Sequence, residues 1–259
     1  MISRIWGIAR SLVMYHGVPG RRRRMVRLYR AFLGPGDIGF DIGAHTGSRV
    51  RAWRRLGARV VAVEPQPDFV RILRLFFGGD RDVTIVAGAV GARAGRARLA
   101  LSTATPTVSS MSPDWIESVT TDRSFARVRW DRTIEVPVVT LDDLIAAHGA
   151  PAFCKIDVEG FEVDVLAGLS RPLRALSFEY LPAAHDAALA ALARLESLGA
   201  RAGGYRYNYS PIETMRFASE RWLDAAELIR LLERFRPLGR SGDVYALLEG
   251  GPEGPTGRR

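Results

Sequence analysis

The chain has 259 residues, 47% of them hydrophobic and 25% charged, the composition of an ordinary globular protein with room for one substantial core. Its one cysteine, Cys154, excludes an intramolecular disulfide and fits a reducing compartment. No run approaches the ~20 apolar residues of a membrane span, and the start lacks a signal-peptide pattern, so the expected location is cytoplasmic. The net charge of +9 is concentrated near the start, around Arg21-Arg22-Arg23-Arg24. Such a segment can attract nucleic acid, anionic lipid or an acidic substrate. A solvated helical face is the plainer reading, since Trp6, Tyr15 and Tyr29 do not interleave regularly with the arginines as a nucleic-acid platform requires.

Along the chain, Ile5, Ile8, Ala9, Leu12 and Val13 recur at helical spacing and predict a helix over 2–14. Residues 16–20 break it, and a second helix is expected over 22–33, so that 1–35 form a basic helical extension. From residue 36 short apolar runs alternate with helical segments: strand 37–42, helix 48–56, strand 59–63, helix 68–77, strand 83–87. Continuous Val/Ile strands alternating with helices indicate a parallel sheet buried on both faces. Residues 96–101 and 133–138 read as extra strands. Between them the polar stretch 102–132, with Ser109, Ser110, Trp115 and Trp130, reads as a lid or substrate insertion. Thr140 and Asp143 have capping-box spacing and open a helix to 147. Strand 152–157, helix 162–169, strand 175–180, helix 184–198, strand 205–209, helix 223–235 and strand 243–248 complete one α/β domain over 36–249. The remainder, 250–259, lacks core-forming residues and is expected to be disordered.

The stretch FDIGAHTG at 40–47 ends a strand in a carboxylate and enters a glycine-edged turn. A strand, tight turn and helix make the general nucleotide crevice of open α/β sheets. A dinucleotide turn would read G-x-G-x-x-G, with the pyrophosphate over the helix N-terminus. Here the spacing is Gly43-x-x-x-Gly47, His45 stands at the close-approach position, and Asp41 brings a negative charge that opposes a pyrophosphate. A ligand with a cationic end fits better, and S-adenosylmethionine, with its ammonium and sulfonium, has one. Asp41 would accept from the ammonium, and the Gly43 turn would let the methionine portion lie on backbone. Glu64 follows the run RVVAV and stands where a carboxylate accepts ribose hydroxyls, a position shared with NAD-binding folds. The plain alternatives are that Asp41 caps the turn and Glu64 is a solvated strand end.

These segments, with VAVEPQPD at 61–68, VAGAVG at 86–91, VTLDDL at 139–144, FCKIDVEGFE at 153–162 and ALSFEY at 175–180, resemble the FkbM family of methyltransferases. The resemblance covers roughly 36–182 and rests most specifically on KIDVEGFE preceded by TLDDL. It implies the class I methyltransferase (Rossmann-like) fold: a mostly parallel seven-stranded sheet with helices on both faces, here with an N-terminal helical extension. It also implies S-adenosylmethionine-dependent O-methylation of hydroxyls on natural products, sugars or lipids. By resemblance Asp41, Gly43 and Gly47 carry the methionine end, Glu64 the ribose, and Gly88 and Ala89 lie near the adenine edge. Family members often have asparagine where this chain has His45, which here reads as a turn residue whose ring packs beside the cofactor.

A second group of charges, Lys155, Asp157 and Glu159, lies at the carboxyl end of the strand over 152–157, the end that faces the crevice. Alternation puts Lys155 and Asp157 on one side. Methyl transfer to an alcohol needs alignment and a proton acceptor within reach. Asp157 is the first candidate for that role, Glu159 the second, and Lys155 could pair with either or hold an acceptor oxygen. Glu179, ending ALSFE, is a third carboxylate candidate. Each also has a structural reading, as an acceptor of loop N–H groups, a helix-terminus charge or a buried ion pair. No metal is expected, because no dedicated ligand spacing is present. His16, His148 and His185 carry no catalytic signal, and Ser109 and Ser110 lack a nucleophile elbow. The tyrosines at 205, 207 and 209 share one strand face, where Asn208 or Tyr209 could border an acceptor pocket. The competing functions are an NAD-dependent oxidoreductase and an RNA- or membrane-tethered methyltransferase using the basic N-terminus.

Overall fold

The computed structural model describes residues 20–120, 125–126, 128–212 and 214–250. The helix expected over 2–14 and the tail over 251–259 lie outside the described residues. The described chain begins with α1 (Arg21–Tyr29) and then enters the alternation β1 (Ile38–Ile42), α2 (Ser48–Arg54), β2 (Arg59–Glu64), α3 (Pro67–Phe77) and β3 (Val83–Ala87). A small unit follows, built of β4 (Ala89–Val90), β5 (Gly95–Leu101), α4 (Pro113–Thr120) and β6 (Arg132–Val139). The alternation resumes with α5 (Leu141–His148), β7 (Phe153–Ile156), α6 (Glu162–Ala167), β8 (Ala175–Tyr180), α7 (His185–Gly199), β9 (Tyr205–Pro211), α8 (Ala225–Phe235) and β10 (Gly242–Leu248). Among the described residues no helix is long and apolar enough to cross a membrane.

Seven strands form one sheet in the order β3-β2-β1-β7-β8-β10-β9. It is parallel except for β10, which runs antiparallel to both β8 and β9. The alternation predicted the parallel sheet, and the family resemblance its mostly parallel seven-stranded form. Side chains alternate across it. Phe40, Ile42, Val61 and Val63 point into a core shared with α5, α6, α7 and α8. Val60, Ala62 and Phe153 point to the other face, where Met25, Leu28 and Tyr29 of α1 join Val50 and Trp53 of α2 and Leu73 and Phe77 of α3. Consecutive parallel strands joined by right-handed crossovers place their helices this way. The strand order reverses between β1 and β7, and a ligand crevice opens outside the carboxyl ends at such a switch point.

The expected extra strands do not join that sheet. β5 and β6 pair antiparallel, with β4 parallel to β6, in a separate three-stranded sheet. The stretch between them is also more structured than its polarity suggests. It contains α4, whose Trp115 and Val119 are buried. Both helix starts that carry a full capping box, Thr140 with Asp143 and Asp224 with Glu227, coincide with the boundaries of α5 and α8.

Candidate active site

At the tip of β1 the chain turns through Gly43 (φ 82°), His45 (φ 50°) and Gly47 (φ 78°). The N–H groups of Gly43 and Ala44 both donate to the Val63 carbonyl at 3.0 Å, tying the turn to the end of β2. Gly43 is required here for a packing reason. A Cβ on it would lie 1.9 Å from the carbonyl oxygen of Asp157, so the turn rests directly on the loop after β7. Gly47 packs on α3 in the same manner, its missing Cβ occupied by the Phe77 ring at 2.4 Å. The His45 ring lies against Phe69, centroids 3.8 Å apart, and its backbone N–H donates to Glu64 Oε2 at 2.8 Å.

Asp41 does not face the crevice as a bare charge, contrary to the expectation from the sequence. It is fully buried, and its Oδ1 accepts from Arg49 Nε at 2.6 Å. The same guanidinium donates to Asp157 Oδ2 at 2.8 Å and to the Gly43 carbonyl at 2.7 Å. One arginine thus clamps the ends of two adjacent strands and the turn between them. Burial raises the Asp41 carboxyl against the pull of Arg49. Burial works against the Arg49 charge, but Asp41 and Asp157 hold it protonated. Asp41 Oδ2 has no hydrogen-bond partner among the described residues. Arg49 was not singled out from the sequence, although a signal was there. A cation in the first turn of a helix opposes the helix dipole, and that is tolerable where carboxylates hold it.

Glu64 is the buried carboxylate at the end of β2. Its Oε1 accepts from Gln66 N and its Oε2 from His45 N, each at 2.8 Å. Burial pushes its pKa up to about 7, and the two backbone N–H groups only partly offset this. A carboxylate has acceptor capacity for more than two donors, so Glu64 can still receive hydroxyls from a ligand.

The KIDVEG loop collects further charges. Lys155 is the only lysine of the chain and is fully buried; its Nζ donates to Asp243 Oδ1 at 2.7 Å and lies 3.9 Å from Asp157 Oδ2. Burial acts to lower its pKa, but Asp243 and Asp157 raise it further, so it stays charged and holds the floor of the site. Burial works to raise Asp157, and the nearby Lys155 and Arg49 charges outweigh it and hold the carboxyl below its ordinary value. Asp157, Glu159 and Glu179 bring ligand oxygens within 4.8 Å of one another. Burial raises both Glu159 and Glu179, with Glu179 adding to the push on Glu159 and Asp157 to that on Glu179. Oxygens this close can share a proton, and hard cations also bind through such groups. The insertion locks this loop from outside. Ser110 Oγ donates to the Glu159 carbonyl at 2.6 Å, and Trp115 fills the space a Cβ on Gly160 would take, 2.1 Å from its ring.

Two adjoining cavities meet at these residues. The first holds about 780 Å³ of space including its open mouth, within the range of small-molecule sites. Gly43, His45, Glu64, Gly88 and Ala89 line it, with Val90, Leu99 and Met111 as an apolar wall. Of the residues expected to contact a cofactor, Asp41 and Gly47 lie behind this surface. The second cavity shares Ser48, Arg49, Asp157 and Glu159 with the first, and adds Arg21, Met25, Glu179 and Ile212. Asn208 and Tyr209 do not reach it. The Asn208 amide donates to Ser219 O and Arg221 O, and the Tyr209 hydroxyl to Arg240 O, so both fasten loops; Ser210 and Pro211, one step further along β9, border the cavity.

Solved structures of similar architecture include a precorrin-6y C5,15-methyltransferase from Geobacter metallireducens, at 16% identity over 86% of each chain with a TM-score of 0.45. A SAM-dependent O-methyltransferase from Thermotoga maritima is similar at 12% identity over 93% of this chain and 71% of that one, with a TM-score of 0.42. No curated protein matches the sequence. The model of the methyltransferase FkbM domain matches residues 41–234, from Asp41 near the end of β1 into α8. That match spans most of the chain, and the protein therefore belongs to the FkbM methyltransferase family.

Proposed function

We propose that the protein transfers a methyl group from S-adenosylmethionine to a hydroxyl oxygen of a sugar, polyketide or lipid-linked acceptor in the cytoplasm. The observation that carries this reading is the buried Glu64 carboxylate, set between a glycine turn with no phosphate cradle and an apolar wall. The residues present fit the cofactor. Glu64 suits a ribose diol, and Val90, Leu99 and Met111 suit an adenine ring beside Gly88 and Ala89. A zwitterionic amino-acid end finds both signs at the turn: Arg49 for its carboxylate, and Asp157 for its ammonium. Asp41, whose second oxygen lacks a partner, reinforces that negative charge from behind.

When bound, S-adenosylmethionine supplies an electrophilic methyl group on a positively charged sulfur. The chain's own residues then align the acceptor and take its proton. Asp157 stands at the junction of the two cavities and is held ionised by Lys155 and Arg49, so it can accept a hydrogen bond, and then the proton, from an acceptor hydroxyl. Glu159, also at the junction, is the second candidate. Lys155 acts as a positioning residue that fixes Asp157 through charge. The second cavity is the place for the acceptor, and alignment there supplies much of the rate.

Titration calorimetry with S-adenosylhomocysteine and, separately, NADH tests the cofactor. Binding of the first and not the second is expected, and the reverse would overturn the reading in favour of an oxidoreductase. Incubation with methyl-labelled S-adenosylmethionine and a fractionated native extract, followed by mass analysis, identifies the acceptor. A labelled nitrogen or carbon in place of oxygen would sink the O-methyl assignment.

A further inference from the structure

The helical layer formed by α1, α2 and α3 has an outer surface that the reaction does not use. Its inner side is apolar and buried against the sheet. On α1, Arg22, Arg23, Arg27 and the following Arg30 are exposed, and their spacing puts them on one outward stripe. Arg55 at the end of α2 and Arg74 on α3 are exposed as well. None of these six arginines makes an ion pair among the described residues. The acidic groups of the same layer are already engaged: Asp68 with Arg71, and Asp80 and Asp82 with Arg54. The surface is therefore a field of uncompensated positive charge, which repels itself and draws an anionic partner.

The same surface carries exposed apolar side chains. Leu75 is 79% exposed and Phe76 42%, on the last turn of α3. Arg51 of α2 lies over the Phe76 and Phe77 rings, 5.4 and 5.8 Å from their centroids, joining this turn to the cationic surface. A leucine and a phenylalanine projecting from a basic face match a bilayer interface, where acyl chains receive the apolar pair and anionic headgroups the guanidinium groups. RNA would use aromatic platforms for its bases, whereas the more exposed of the two side chains here is the aliphatic Leu75.

From this we infer that the outer face of α1, α2 and α3 docks the protein peripherally on an anionic lipid bilayer, with Leu75 and Phe76 inserted among the headgroups. The inference is independent of the proposed reaction. Co-sedimentation of the full chain with phosphatidylcholine vesicles, with and without phosphatidylglycerol, tests it across a salt series. Pelleting only with phosphatidylglycerol, weakening as salt rises, is expected. Arg23→Glu and Arg27→Glu should each weaken binding about fivefold or more. Leu75→Asp with Phe76→Ser should weaken it at least about tenfold, while circular dichroism melting confirms that the exposed substitutions leave the fold intact. Equal pelleting with both vesicle types would overturn the inference. So would a Leu75/Phe76 variant that binds as wild type while single-stranded RNA displaces the protein. A wild-type dimer that becomes monomeric in that variant, with no vesicle binding, would instead assign the face to self-association.

Discussion

Glu64 sits where burial and hydrogen bonding oppose each other, and the balance makes a pH-dependent site. Its folded pKa of about 7 lies above the ordinary carboxyl value of 4.5, so between those limits the folded chain holds a proton that the unfolded chain has released. The Glu64 contribution to stability therefore falls as pH rises from about 4.5 to about 7. A ribose diol donates to the ionised form, so affinity for S-adenosylhomocysteine should move the other way, rising about tenfold between about pH 6 and about pH 8. Calorimetry over that range checks this, and Glu64→Gln should flatten the slope as well as weaken binding. Gly43→Ala should cost about 3 kcal/mol or more, from the left-handed φ and the clash with the Asp157 carbonyl, read as a lower midpoint in urea unfolding. Asp41 and Glu64 stood out in the sequence because each directly follows an apolar strand run, but the burial of Asp41 behind the turn did not. Their partners were not. Arg49 meets Asp157 across 108 residues and Lys155 meets Asp243 across 88, separations that only the strand order brings together.

Elements with strong local signals were legible to within a residue or two. The Val/Ile strands, the Thr140 capping box and the amphipathic α7 fall where their patterns place them. α4 was missed because it is eight residues long within a polar stretch and is held by tertiary contacts. Those contacts give the insertion a function as an element. Trp115 rests on Gly160 and edge-on to Trp130 and Phe125, Ser110 holds the Glu159 carbonyl, and the Pro106 carbonyl accepts from Gln66 Nε2 at 2.7 Å. The insertion thus roofs the first cavity while bracing the loop that carries Asp157 and Glu159. Trp115→Ala should remove about 3 kcal/mol of local packing. The expected result is faster protease cleavage within residues 102–132 and weaker S-adenosylhomocysteine binding, with the main sheet intact by hydrogen exchange.

At the scale of the whole molecule, helix–strand alternation was enough to predict a parallel sheet with helices on both faces. It did not disclose that β4, β5 and β6 form a sheet of their own, because pairing partners are not encoded in strand periodicity. The first cavity lies between the two sheets' elements, with Glu64 from one and Ala89 and Leu99 from the other. A ligand there should therefore brace both. Saturating S-adenosylhomocysteine at about 100 Kd should add about 2.7 kcal/mol, a rise of several degrees in Tm, whereas NADH should leave the melting curve unchanged. The antiparallel β10 has a consequence for how the protein is made. Of the described strands it comes last in sequence, yet it lies inside the sheet and supplies the Asp243 that meets Lys155. On the ribosome, β9 emerges with no neighbour to join, and Lys155 waits without Asp243 until β10 has been made. Assembly of the floor beneath the Asp157 loop therefore waits for β10, and a nascent chain stalled before residue 242 would display an open sheet edge at β8 to the cell's chaperones.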